Sequence, residues 1–243
     1  MRKILRVLSL ALAIFAPGPT AAIAASLQVT PVTIDLTAPT GAGLVTLRND
    51  GKSPITVQVR VFKWVQQNGV DAYVPTKDVA VSPPMTKLAP GSRQTVRVVR
   101  TAKASAGQDS YRLFVDEIPQ AARRTRNGVE FVLRQSIPVF FSAPGISPAK
   151  VAWSASSNGR KLTLTARNSG TDRQKVSRLV LKDQGGKVLA RTDGLAGYVL
   201  GGSTRRWDFS LPSGATLRGR SLLLTAEDDR GPIRAKVTVS SGG

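Results

Sequence analysis

The sequence predicts an all-β protein built as two β-sandwich domains in tandem, and three observations carry that reading. Nearly every segment alternates apolar and polar residues with a period of two and ends at a turn signal. No stretch combines helical period with helical length. A break at Ala143, Pro144 and Gly145, with Pro148 behind it, splits the strand pattern into two comparable halves.

The chain opens MRKILRVLSLALAIFAPGPTAAIAAS, with Arg2, Lys3 and Arg6 before an apolar run over residues 7–16 and a small-residue site at Ala22, Ile23 and Ala24. That order is a secretory signal peptide, assigned to residues 1–25, and its apolar run is too short to span a bilayer. No later segment approaches the roughly 18 apolar residues of a membrane-spanning helix, so the exported product is expected to be free of membrane insertion. The amino-terminal domain, residues 26–143, contains strand-like runs at 27–36, 44–49, 55–65, 96–100, 111–118 and 128–141, punctuated by Asp50-Gly51, Asn68-Gly69, Pro83-Pro84 and Pro90-Gly91. The carboxy-terminal domain, residues 144–243, resumes at 161–167, 176–182, 187–190, 198–200, 205–211, 221–226 and 234–240.

Residues 128–141, GVEFVLRQSIPVFF, are the most informative of these runs. Val129, Phe131, Leu133 and Ile137 fall on one face, interrupted by Gln135, and the strand follows residues 111–119 across a basic connection carrying Arg123, Arg124 and Arg126. Such a row is either a core strand of its own domain or an edge offered to another molecule.

Composition excludes several function classes. With no histidine and no cysteine, the Ser-His-Asp and Cys-His arrangements and the usual zinc sites are absent, and both cores must stand without disulfides. Asp116 and Glu117 are neighbours on a strand and point to opposite faces, so they form no carboxylate pair. Glu227, Asp228 and Asp229 read as an acidic turn rather than a calcium loop. The sequence therefore predicts no enzyme, no cofactor and no metal. The formal charge of +20 falls by the three charges of Arg2, Lys3 and Arg6, to +17 for the exported chain. This excess is spread over both halves with few aromatics, a pattern of a solvated basic surface rather than of a nucleic-acid binder.

A faint repeat links the halves. Residues 46–51, TLRNDG, echo 165–170, TARNSG, each closing a strand at a turn; 88–93, LAPGSR, echo 200–205, LGGSTR, each opening one.

Residues 111–119, YRLFVDEIP, resemble the penultimate strand of the amino-terminal domain of periplasmic pilus-assembly chaperones of the chaperone-usher (PapD-like) family. Residues 82–84, 88–91 and 94–100 resemble that family's preceding strand, 133–141 its last strand and 27–31 its first. The phrases QVRVFKW at 58–64 and Tyr111-Arg112 are most similar to the archaic branch that serves Csu-type and spore-coat-protein-U-type pili. The resemblance implies two immunoglobulin-like domains in a boomerang arrangement, a periplasmic location, and capture of pilus or secreted coat subunits that lack a final strand. The chaperone lends its own last strand, here through Val129, Phe131, Leu133 and Ile137, and delivers the subunit to an outer-membrane usher. The alternative is an exported immunoglobulin-like adhesion module.

The chain also departs from the family. The two basic residues that anchor the subunit's terminal carboxylate in the best-known branch fall at Thr33 and Pro138. Arg112 and Arg134 are the candidate replacements, since a guanidinium fork suits a carboxylate; read from the residues alone, they are equally solvent-facing strand positions. Of the interdomain ion pair, Glu117 and Asp229 match the acids, and Ser142 stands where the arginine belongs.

Overall fold

A computed structural model describes residues 27–119, 133–211 and 217–241. The amino-terminal half holds β1 (Leu27–Thr30), β2 (Ile34–Thr37), β3 (Ala42–Asn49), β4 (Ile55–Gln67), β5 (Val70–Pro75), β6 (Val79–Ser82), β7 (Met85–Leu88), β8 (Arg93–Arg100), β9 (Gln108–Ile118) and β10 (Arg134–Ser142). The carboxy-terminal half holds β11 (Val151–Ser157), β12 (Lys161–Asn168), β13 (Gln174–Lys182), β14 (Val188–Val199), β15 (Thr204–Ser210), β16 (Ser221–Asp228) and β17 (Gly231–Ser241). The signal-peptide assignment and the segment carrying Arg123, Arg124, Arg126, Val129 and Phe131 lie outside the described residues.

In the first half, one sheet runs β1-β3-β8-β6 and the other β2-β10-β9-β4-β5, with β7 also on β4. The run at 27–36 is two strands rather than one. Pro31 supplies no N–H to a ladder, and the chain changes sheets there, β1 pairing antiparallel with β3 and β2 parallel with β10. Between the sheets, Val45, Leu47, Val57, Val59, Val96, Val98, Leu113, Val115, Val139 and Phe141 interdigitate, each from the inward row of its strand. β5 is a hairpin partner of β4 across Asn68 and Gly69, both at positive φ, +52° and +83°, as a two-residue turn between right-twisted strands requires.

In the second half, the strands run β14-β13-β16-β17-β11-β12-β15. The long β17 pairs with β16 along most of its length and then, in parallel, with β11, so the sheet folds over into a sandwich around Leu162, Leu164, Val176, Leu179, Leu181, Leu222, Leu224 and Val237. This all-β architecture of two sandwiches agrees with the sequence expectation.

The faint repeat is one corner built twice. Asn49 and Asn168 are buried at the ends of β3 and β12. In each, the side-chain oxygen accepts from the glycine two residues on, Gly51 or Gly170. In each, the amide donates to the carbonyl four residues on, Ser53 or Asp172. It also reaches the carbonyl of the second echoed segment, Leu88 or Leu200. The two echoed segments of each domain thus meet at a single asparagine.

Candidate functional site

The expected lending strand enters the described structure at Leu133. Its carbonyl accepts from Glu117 N at 3.0 Å, so the β9 ladder already holds it, and its side chain packs half-buried against the amino-terminal core. Gln135, which interrupts the row, donates to Leu27 O at 2.8 Å and ties β10 to β1. Ile137 corrects an expectation: at 2% exposure it belongs to the domain's own core. The alternating row continues into the core face of β10, because residues two apart share a face, and by Ile137 that face is already covered by the opposite sheet.

Arg134 and Arg112 sit on the other, outward face of the same sheet, in different surroundings. Arg134 stands opposite Asp116 and donates to it at 2.5 Å, while Arg60 of β4 donates to the second carboxylate oxygen at 2.6 Å. Burial alone pushes the Asp116 carboxyl up, but the hydrogen bonds and charge of the two arginines outweigh it and hold the group below the usual carboxylate range. Phe62, Phe114 and Tyr73 pack edge to face beside this clamp, with ring centroids 5.5 and 5.2 Å apart. Arg134 already has a carboxylate partner.

Arg112 has none. Its guanidinium carbon lies 3.8 Å from the Trp64 ring centroid and 5.8 Å from that of Tyr198, which belongs to the second domain. Its Nε is buried with no hydrogen-bond partner. Burial pushes the guanidinium pKa down, opposed by Tyr73, Tyr198 and Asp71. The register places it further. Pro138 is directly opposite Arg112, and Val139 is opposite Ile34 in the parallel β10-β2 pair, so one step back sets Thr33 beside Pro138. Thr33, Pro138 and Arg112 therefore occupy one rung across three adjacent strands. The positions that lost their basic residues are next to one that has an arginine.

The elbow between the domains holds residues the sequence reading missed. Trp64, Phe140, Tyr198 and Leu200 form a separate buried cluster spanning both domains. Gln66 acts as a peptide surrogate, donating to Tyr198 O at 2.8 Å and accepting from Leu200 N at 3.1 Å. Asp71 accepts from Trp64 Nε1 and Gln66, and pairs with Arg205 at 3.5 Å. At Gly69 the chains come so close that Arg206 N bonds its carbonyl, and a Cβ would lie 2.6 Å from the Arg206 side chain.

The interdomain ion pair expected of Glu117 and Asp229 around Ser142 is arranged differently. Ser142 faces Gln108, whose amide donates to the Ser142 hydroxyl and to Asp172 at 3.0 and 2.9 Å. Glu117 is at the opposite end of β9, beside Leu133, and takes no part. Asp229 pairs with Lys175 within the second domain. A second bridge across the elbow, besides Asp71 to Arg205, is Arg173 to Asp35 at 2.5 Å, with the Arg173 guanidinium 3.7 Å from the Phe140 centroid. Asp35, Gln108, Ser142, Asp172, Arg173 and Asp229 line a cleft of about 480 Å³. The missed residues had one sequence signal: Trp64 and Phe140 are large aromatics on the outward, mostly polar rows of their strands.

Residues 26–147 match the family described as pili and flagellar-assembly chaperone, PapD N-terminal domain. No curated protein matches the chain. Among solved structures, the CsuC-CsuE chaperone-tip adhesion subunit pre-assembly complex of archaic Csu pili from Acinetobacter baumannii aligns with TM-score 0.68 at 24% identity, over 89% of this chain and 100% of the matched one. The Salmonella enterica SafA pilin in complex with the SafB chaperone gives 0.59 at 16%, over 86% and 95%. The Escherichia coli chaperone DraB gives 0.57 at 20%, over 87% and 96%. At these identities the likeness is one of fold.

Proposed function

This chain belongs to the family of pilus and flagellar-assembly chaperones, and from that premise we propose that it captures pilus or secreted coat subunits lacking a final strand. Residues 128–141 serve as the lent strand: main-chain bonds give general affinity, and Val129, Phe131 and Leu133 fill the subunit's open groove. Ile137 marks where the row turns into the chaperone's own core. Arg112 receives the subunit's terminal carboxylate. The loaded chaperone acts in the periplasm, after removal of residues 1–25, and passes its subunit to an outer-membrane usher. Domains at 26–143 and 144–243 and membership of the archaic branch complete the reading. The family is one of assembly proteins, not enzymes.

The observation that carries the anchor is the rung of Thr33, Pro138 and Arg112. An arginine over the Trp64 ring at the elbow, whose buried Nε has no hydrogen-bond partner and which forms no salt bridge among the described residues, is pre-oriented for a carboxylate. Co-expression with a subunit lacking its final strand tests the whole: the two co-purify from periplasmic extract, and Phe131→Asp abolishes this because a charge would be buried in the subunit without a partner. Undiminished co-purification of the Phe131→Asp variant overturns the lent-strand assignment.

A further inference from the structure

The outward face of the carboxy-terminal sheet presents a pattern that subunit capture does not use. Register sets Val188, Lys182, Leu223 and Lys236 in one row across β14, β13, β16 and β17. Val180, Thr225 and Arg234 form the next row. Leu223, 49% exposed, lies between Lys182 and Lys236, and Val188, 46% exposed, ends the row beside Lys182. Lys182, Arg234 and Lys236 form no ion pair among the described residues. Carboxylates on the same strands and turns are engaged elsewhere: Glu227 pairs with Arg178, Asp193 with Arg191, and Asp183 accepts the Lys187 amide in its turn.

We propose that this face docks on an anionic phospholipid bilayer. A face of cations without ion-pair partners among the described residues is complementary to an anionic surface, and three features favour a lipid plane over an acidic protein. The cations are spread over adjacent strands rather than gathered around a groove, matching a field that is uniform in the plane. Two of the three are lysines, compact hydrated charges without the fork that selects a carboxylate. Their alkyl stems flank Leu223, so the aliphatic side chain meets the headgroup boundary while the ammonium groups stay hydrated. A chain bearing +17 after export would thereby be held near a membrane surface without insertion.

Flotation of the full exported chain tests this, with vesicles of phosphatidylcholine alone and vesicles of phosphatidylcholine and phosphatidylglycerol in equal parts. The protein floats with the anionic vesicles only, and added salt releases it. Lys182→Gln, Arg234→Gln and Lys236→Gln together lower partitioning about a hundredfold, at about fivefold per charge. Lys87→Gln, Arg93→Gln and Arg97→Gln, an equal charge loss on the first domain, change it by less than about threefold at physiological salt because those charges stand away from the docked plane. Leu223→Gln alone weakens binding severalfold, which charge attraction by itself would not produce. Absence of binding to anionic vesicles overturns the proposal, as does equal loss in the two triple variants, which would make net charge the whole effect. Retention on immobilised polyglutamate without vesicle binding also overturns it, in favour of an acidic protein surface.

Discussion

At the scale of single residues, two arginine-carboxylate questions define how this chaperone works. Arg112 is a guanidinium held flat against Trp64 with its Nε unsatisfied, and a partly desolvated carboxylate there contributes roughly 1.5 to 3 kcal/mol. Arg112→Ala is expected to weaken subunit affinity about ten- to hundredfold, and Arg112→Lys to recover only part, since a point charge lacks the fork. Titration calorimetry with one subunit measures this, and equal affinities for the alanine variant and the parent would remove Arg112 from the site. Asp116 is the converse case, a carboxylate that already has two arginines. Its folded pKa lies below its unfolded one, so its stabilisation is complete above the unfolded carboxylate range and is lost as pH falls through the folded value. Asp116→Asn should lower stability near neutral pH by about 1 to 3 kcal/mol. The gap between the two proteins should then narrow as pH drops below the unfolded carboxylate range and through the lower folded value. Urea midpoints followed across that range decide it; a gap that stays constant would show that the charge is irrelevant.

At the scale of elements, the strand from Arg134 to Ser142 changes role along its length. Ile137 lies opposite Leu113 in the core, whereas Leu133, on the same row toward the amino-terminal end, is only partly buried at the core's margin. Ile137→Asp should therefore unfold the free protein, at a cost of several kcal/mol for an unpaired buried charge. Phe131→Asp should leave the free protein's melting temperature unchanged and affect only capture. If both variants melt like the parent, the division of the strand between core and subunit is wrong. This division also shows what was readable beforehand. The period-two rows of β4, β8, β9 and β10 were legible because each strand buries one face and must alternate. Very short or low-contrast strands were not: β6, VAVS, and β7, MTKL, have four residues each, and β11, VAWSASS, carries mostly small side chains with little apolar contrast. The split of the first strand was written in Pro31, but the parallel pairing of β2 with β10 is a long-range choice that no local pattern announces.

At the scale of the molecule, the elbow was the least legible part, because Trp64, Phe140, Tyr198 and Leu200 come from three strands and a turn of two domains and meet only in the folded chain. The Arg173 to Asp35 bridge was hidden for the same reason, with its charge signs reversed between the domains relative to the expected pair. These contacts imply that the two sandwiches unfold together. An aromatic cluster of this kind contributes about 3 to 5 kcal/mol for one large side chain lost, and the Gln66 pair to Tyr198 and Leu200 satisfies two backbone groups that would otherwise be stranded. That coupling is comparable to the whole stability of an ordinary domain, enough to merge two transitions into one. Scanning calorimetry of residues 26–243 should show a single cooperative transition. Gln66→Ala with Tyr198→Ala should resolve it into two, because each domain keeps its own core while the link is lost. The same variant should hold Arg112 less firmly, since Tyr198 is one of its two aromatic neighbours, and so lose subunit affinity although no lent-strand residue has changed. Two transitions in the parent protein, or one in the double variant, would mean that the elbow is a hinge rather than a brace.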